Sequence, residues 1–195
     1  MNLLLIRHGQ TPFNRQQRLQ GSLDIPLDDT GIQQANNLVA HLQDTSIDHL
    51  VTSPLLRAQQ TVAPLAAARH LVPQLDPRFR EQSFGHIEGM STNEIRRAYP
   101  AYFARDFERA WVEAPEGGET LSDVFRRVHA ALTDLRLTYQ GQTVAVMSHG
   151  FVSRVVRSLH SGGIDGFFAW HLDNAGYMTL DLSSGINLPR DLAAN

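Results

Sequence analysis

The 195-residue chain contains no cysteine and no lysine. Without cysteine there is no thiol nucleophile, no thiolate metal site, no iron–sulfur cluster and no disulfide framework. Without lysine, amine chemistry is closed as well: no Schiff base, no pyridoxal-phosphate lysine, no phosphate-loop lysine. All 17 fixed cations are therefore arginines, and against 20 acidic residues they leave a formal net charge of −3. With no basic excess, the chain is a poor match for nucleic acid or an anionic membrane, although a local arginine cluster can still hold a small anion. No apolar run approaches the roughly 20 residues of a membrane span. The apolar start Met1–Ile6 is too short for a signal segment and has no basic residues before it, so a soluble, cytoplasmic protein is expected. The 42% hydrophobic content is ordinary for a globular chain, and no repeat or low-complexity stretch divides it, so one domain over 1–195 is the reading.

What is present alternates between strand and helix patterns. Leu3–Ile6 is a continuous apolar run that stops at Arg7-His8-Gly9, as a strand buried on both faces would. Ile32, Ala35, Leu38, Val39 and Leu42 recur at helical spacing, predicting a helix over Thr30–His41 with Thr30 as its cap. His49–Thr52 reads as a second strand. Ser53 and Pro54 read as a cap and a first-turn proline opening a helix to about Arg69. A short strand at Leu71–Leu75 follows. Asp76–Gly118, broken by Pro77, Pro100 and Pro115, reads as an irregular insertion over the sheet, with Tyr99, Tyr102, Phe103, Phe107 and Trp111 as its small core. A helix over about Glu119–Thr138, a strand at Thr143–Met147, a helix over Phe151–His160 and an edge strand at Tyr177–Leu182 restore the alternation. The expected fold is an α/β three-layer αβα sandwich, its sheet mostly parallel with one antiparallel edge strand, roofed by residues 76–118.

Ligands of such sheets bind beyond the carboxyl ends of the strands. The residues found there are Arg7-His8-Gly9, Ser53 with Arg57 one turn further on, and Ser148-His149-Gly150. Guanidinium forks and free helix N–H groups both suit phosphate oxygens. With no thiol or amine, the available nucleophile is an imidazole nitrogen, which can attack phosphorus and form a phosphoenzyme. The leaving oxygen then needs a proton donor, for which Glu81 and Glu88 are candidates, with Glu119 nearby. Taken alone, a histidine at a strand end is more often a satisfied core residue, and His149 could simply cap the following helix. His41, His49, His70, His86, His129, His160 and His171 show no i, i+3 or i+4 pairing of the kind metal sites use and read as surface residues. Gly162-Gly163 with Gly166 reads as a turn, not a nucleotide loop.

The segment from Ile6 through Arg7-His8-Gly9-Gln10-Thr11-Pro12-Phe13 to Asn14 resembles the Arg-His-Gly signature of the histidine phosphatase superfamily, in its phosphoglycerate mutase-like branch. Gly21 through Leu27 to Gly31, Ser53 through Arg57 to Thr61, Arg80-Glu81 with Phe84-Gly85 and Glu88-Gly89, Gly118-Glu119, and Ser148-His149-Gly150 are similar in the same order. The matches run from residue 3 to about residue 176. The resemblance implies that His8 becomes phosphohistidine, that Arg7, Arg57 and His149 hold the phosphoryl oxygens, and that Glu81 serves as acid and then base. It further implies secondary contacts from Asn14 and the Gly150 amide, and a pocket lined by Thr11, Gln20 and Gly21. It calls for a small phosphorylated substrate, no cofactor and no metal; a monomer and a dimer both remain open. Mutases of the branch tend to be longer and to carry lysine-containing motifs after the Glu-Gly step, where this chain has Gly89-Met90-Ser91-Thr92. Gln10 stands where an acidic residue is common, a change that removes no catalytic part. Hydrolysis is therefore expected over mutase activity, with a non-catalytic phospho-ligand-binding protein as the alternative of another class. The aromatic stretch Phe84–Gly118 suggests tolerance of apolar leaving groups and so a broad substrate range.

Overall fold

In the computed structural model, which describes residues 1–104 and 106–189, the two most apolar runs lie side by side at the centre of one sheet. They are β1 (Asn2–Arg7) and β4 (Thr143–Ser148); β2 (His49–Thr52), β3 (Gln74–Leu75) and β5 (Tyr177–Asp181) complete the order β3-β2-β4-β1-β5. β5 runs antiparallel to β1, and every other pairing is parallel. The helices are α1 (Pro12–Arg15), α2 (Asp29–His41), α3 (Leu56–Arg69), α4 (Thr92–Ala98), α5 (Pro100–Phe103), α6 (Phe107–Val112), α7 (Leu121–Thr138) and α8 (Gly150–Ser161).

Side chains alternate across a strand, so one run of apolar residues feeds two cores. Leu3, Leu5, Val144 and Val146 pack with Val128 and Leu132 of α7 and Val152 and Val156 of α8. Leu4, Ile6, Ala145 and Met147 pack on the opposite face with Leu38 of α2 and Val62 and Leu65 of α3. None of these eight strand side chains is more than 1% exposed, which is why neither strand shows polar alternation. This is the αβα sandwich expected from the sequence. The chain leaves β1 toward α2 on one face and leaves β4 toward α8 on the other. The connections after the two paired strands therefore part to opposite faces, and a crevice lies beyond the strands' carboxyl ends. Among the described residues, no helix is long and apolar enough to cross a membrane.

Several local expectations are corrected. Asp28, not Thr30, caps α2, accepting from Gly31 N at 2.9 Å, and Ile32 is 49% exposed. Gly31 is required by packing: a Cβ there would stand 2.0 Å from Gln10 O, so only glycine lets α2 start this close to the turn after β1. Ser53 caps no helix; α3 begins at Leu56, whose N–H donates to Asp24 Oδ1 at 2.6 Å. The short strand is only Gln74–Leu75. Residues 76–118 are more regular than expected, because α4 is set by a capping box between Ser91 and Glu94 and α6 is capped by Asp106. Of their described aromatic residues, Trp111 joins the main core, edge-on against Phe125 of α7 with centroids 5.2 Å apart, while Tyr102 is exposed beside Tyr99. The side chains of Phe103 and Phe107 lie outside the described residues.

Candidate active site

Parallel pairing sets Arg7 opposite Ser148, so the next residue of each strand, His8 and His149, become neighbours with ring centroids 5.2 Å apart. The first turn of α3 brings in Arg57, and the turn after β3 brings in Glu81. Arg7, His8, Asn14, Gln20, Gly21, Arg57 and Glu81 line one pocket of about 160 Å³ together with Arg18, Leu19, Phe84 and Phe151.

His8 is buried, and its Nδ1 lies 2.7 Å from Gly9 O. A carbonyl oxygen can only accept, so Nδ1 carries the proton and Nε2 keeps its lone pair. Its backbone is pinned at both ends: N–H donates to Ser148 O, and O accepts from Ala175 N and from Asn174 Nδ2. Burial first, and then the charges of Arg57 and Arg7, hold its pKa well below 6.5. The ring is neutral and nucleophilic at neutral pH.

Arg57 is fully buried. Nε donates to His149 Nδ1 at 3.2 Å, Nη1 to Leu23 O at 2.7 Å and Nη2 to Gly21 O at 2.8 Å. Burial lowers its pKa from the ordinary arginine value to about 10, which leaves it charged at neutral pH. Because His149 Nδ1 accepts from Arg57, the proton of that ring sits on Nε2, which donates to Ser53 Oγ at 2.7 Å. His149 and Gly150 do not line the pocket; they form the wall behind it, with the Gly150 Cα so close to Arg7 that an added Cβ would stand 3.4 Å from Arg7 Nε. Arg7 is tied by Nη1 to Leu172 O at 2.5 Å, while its buried Nε–H has no acceptor in the protein. A buried cationic donor without a partner beside a second guanidinium marks an anion site.

The three candidate carboxylates separate clearly. Glu88 Oε1 accepts from Ser22 N at 2.9 Å and Phe84 N at 2.8 Å, tying two loops together. Glu119 pairs with Arg127 and accepts from Ser83 N. Only Glu81 lines the pocket, its Oε2 accepting from Phe151 N at 3.1 Å and its Oε1 from Val152 N at 3.3 Å, at the amino end of α8. Thr11, expected in the lining, is instead buried behind it and donates from Oγ1 to Gln20 Oε1 at 2.9 Å, which leaves the Gln20 amide N–H groups available. Asn14 Oδ1 likewise accepts from Thr11 N and Asn174 Nδ2, leaving its own NH₂ for a ligand. Ser53, expected at this edge but as a helix cap, acts instead through His149, and Asn174 is a participant that the sequence did not indicate. Asn174 carries no local signal, since only the pairing of β5 with β1 brings it near. None of the other seven histidines is buried, and among the described residues no cluster of three His, Asp or Glu could hold a metal ion.

Two histidines buried in neutral form make stability depend on pH. His149 is depressed mainly by burial and then by Arg57, as His8 is. Below about pH 6.5 the unfolded chain takes up protons that the folded chain refuses, so folding stability falls by up to ~1.4 kcal/mol per pH unit for each histidine. The melting temperature should therefore drop between pH 7 and pH 5, and His149→Asn should flatten that slope in a pH series of thermal melts. An unchanged slope in the variant would remove His149 as its source.

A family model described as histidine phosphatase superfamily (branch 1) matches residues 3–189. Phosphoserine phosphatase 1 of Hydrogenobacter thermophilus is 32% identical over 194 residues, covering 96% of this chain and 90% of that protein. A probable phosphoglycerate mutase of Yersinia pestis is 32% identical over 155 residues, covering 77% of this chain and 70% of its own. Among solved structures, a mycobacterial glucosyl-3-phosphoglycerate phosphatase complexed with VO3 aligns at a TM-score of 0.82 with 28% identity, covering 92% of each chain.

Proposed function

Since the chain belongs to the histidine phosphatase superfamily (branch 1), we propose that it hydrolyses phosphomonoesters through phosphohistidine at His8. The observation that carries this reading is the state of His8: a neutral ring, its Nδ1–H spent on Gly9 O, buried between Arg7 and Arg57. Nε2 attacks phosphorus and the bond from phosphorus to the leaving oxygen breaks, with Glu81 giving that oxygen its proton. Water then attacks the phosphohistidine, Glu81 takes the water's proton, the P–N bond breaks and orthophosphate leaves. Arg7 and Arg57 balance the charge on the phosphoryl oxygens throughout, the main contribution proteins make to phosphoryl transfer. Asn14, Gln20 and the Gly21 turn complete the cradle. His149 acts by holding Arg57 in register, and Gly150 by leaving room for the Arg7 guanidinium. Each step uses only this chain's own side chains, and we expect it to run without metal or cofactor in a soluble, cytoplasmic enzyme.

A second cleft of about 270 Å³ adjoins the pocket and shares Leu19, Phe84 and Phe151 with it. Ile87, Ile95, Ala101, Ala110, Pro115 and Phe168 make its walls largely apolar, and Arg109 is paired with Glu113 at 2.7 Å. Space of this kind next to the phosphate suits the apolar body of a leaving group and favours a broad range of small phosphorylated substrates over a single sugar phosphate. Residues 76–118 act as the roof of a single domain on this reading.

The test is product analysis in EDTA with p-nitrophenyl phosphate, phosphoserine and 3-phosphoglycerate. Orthophosphate released in step with substrate loss is the expected result. Interconversion of phosphoglycerates primed by a bisphosphate, without net release, would instead make the chain a mutase. Binding without turnover would make it a phospho-ligand-binding protein, and activity that vanishes in EDTA would overturn the metal-free mechanism.

A further inference from the structure

Arg127, on α7, has five N–H groups and five acceptors. It meets both oxygens of Glu119, Nε to Oε1 at 2.8 Å and Nη2 to Oε2 at 3.0 Å. It also donates to the backbone carbonyls of Arg78 at 2.6 Å, Arg80 at 2.7 Å and Glu81 at 3.2 Å. Glu119 extends the clamp by accepting from Ser83 N at 3.0 Å, and Gln82 Nε2 donates to Glu119 O at 2.9 Å. Residues 80–83 belong to no helix or strand, so no backbone ladder fixes the place of Glu81. One planar guanidinium, 16% exposed, does what a ladder would do elsewhere.

We infer that Arg127, held by Glu119, is a positioning residue that sets Glu81 against the amino end of α8 and the phosphate pocket. It lines neither cavity. The inference rests on the reading of Glu81 as the acid. Proton transfer needs hydrogen-bond reach, and a misplacement of about 1 Å can cost ~100-fold in rate. That cost falls only on substrates whose leaving oxygen must be protonated. A p-nitrophenolate leaves as the anion, whereas an alkoxide does not.

The experiment compares kcat/KM for p-nitrophenyl phosphate and for 2-glycerol phosphate, because kcat/KM reports the phosphorylation of His8 and not the later attack of water. Arg127→Gln should lose ~100-fold on the alkyl ester and less than ~5-fold on the aryl ester. Arg127→Lys should not rescue the alkyl ester, since one ammonium cannot bridge a carboxylate and three carbonyls. Glu119→Gln should shift the ratio in the same direction, and it keeps the proposal testable should Arg127→Gln fail to fold. Equal losses on both esters, or no loss, would reduce the clamp to ordinary scaffolding and overturn the inference. Glu81→Gln is measured alongside. If it splits the two substrates while the clamp variants do not, only the positioning role falls; if it shows no split, the assignment of Glu81 as the acid falls first.

Discussion

His8→Ala should abolish turnover, with kcat/KM falling ~10⁴-fold or more toward the uncatalysed background, as loss of a covalent nucleophile does. The geometry explains why so much depends on one nitrogen. Nδ1 is occupied by Gly9 O, so only Nε2 can attack, and no cysteine or lysine exists to substitute for it. Phosphohistidine survives alkali and is lost in acid, so an alkaline quench after mixing with ³²P-labelled substrate should leave label on the wild type and none on His8→Ala. The variant should still fold, because among the described residues the only side-chain hydrogen bond it gives up is to its own neighbour. Label retained on His8→Ala would move the nucleophile elsewhere and end the proposed mechanism.

Arg57→Ala should have the second largest effect, and it should lower both activity and stability. A guanidinium opposite a transferring phosphoryl group can be worth ~10³-fold or more in rate. The same side chain is also the donor to Gly21 O, Leu23 O and His149 Nδ1. Each buried acceptor left without a donor costs about 1–3 kcal/mol, so a melting temperature several degrees lower is expected with the loss of rate. Arg57→Lys keeps the charge but cannot reach three diverging acceptors, so most of both losses should persist. A variant that melts lower but keeps kcat/KM within about tenfold would make Arg57 a structural residue only.

Much of the site was legible because its main residues end long apolar strands. Leu3–Ile6 and the Val144–Met147 stretch announce two buried strands, and the residues that stop them are Arg7-His8 and Ser148-His149. What misled was chemistry that looks the same locally in two settings. Ser53 before Pro54 has the form of a helix cap, yet its hydroxyl faces His149, 96 residues away. Thr30 and Asp28 are both good caps, and the carboxylate took the role. The prolines and aromatics of residues 76–118 suggested irregular chain, whereas the Ser91–Glu94 capping box, which that reading passed over, sets α4.

The sequence by itself determined the layer order, the absence of thiol and amine chemistry, and the imidazole and guanidinium pairs at the strand ends. These depend on periodicity and side-chain type, which neighbours along the chain carry. Tertiary structure alone decided which glutamate reaches the pocket. Glu81, Glu88 and Glu119 are chemically alike, and they are sorted only by their partners: α8 amides 70 residues away for Glu81, Ser22 66 residues away for Glu88, and Arg127 for Glu119. The same holds for the tautomers of His8 and His149, which follow from the acceptor that packing places at Nδ1 of His8 and the donor it places at Nδ1 of His149. A hydrogen bond needs its partners within about 3 Å, and distances of that kind across the chain exist only once the sheet has closed.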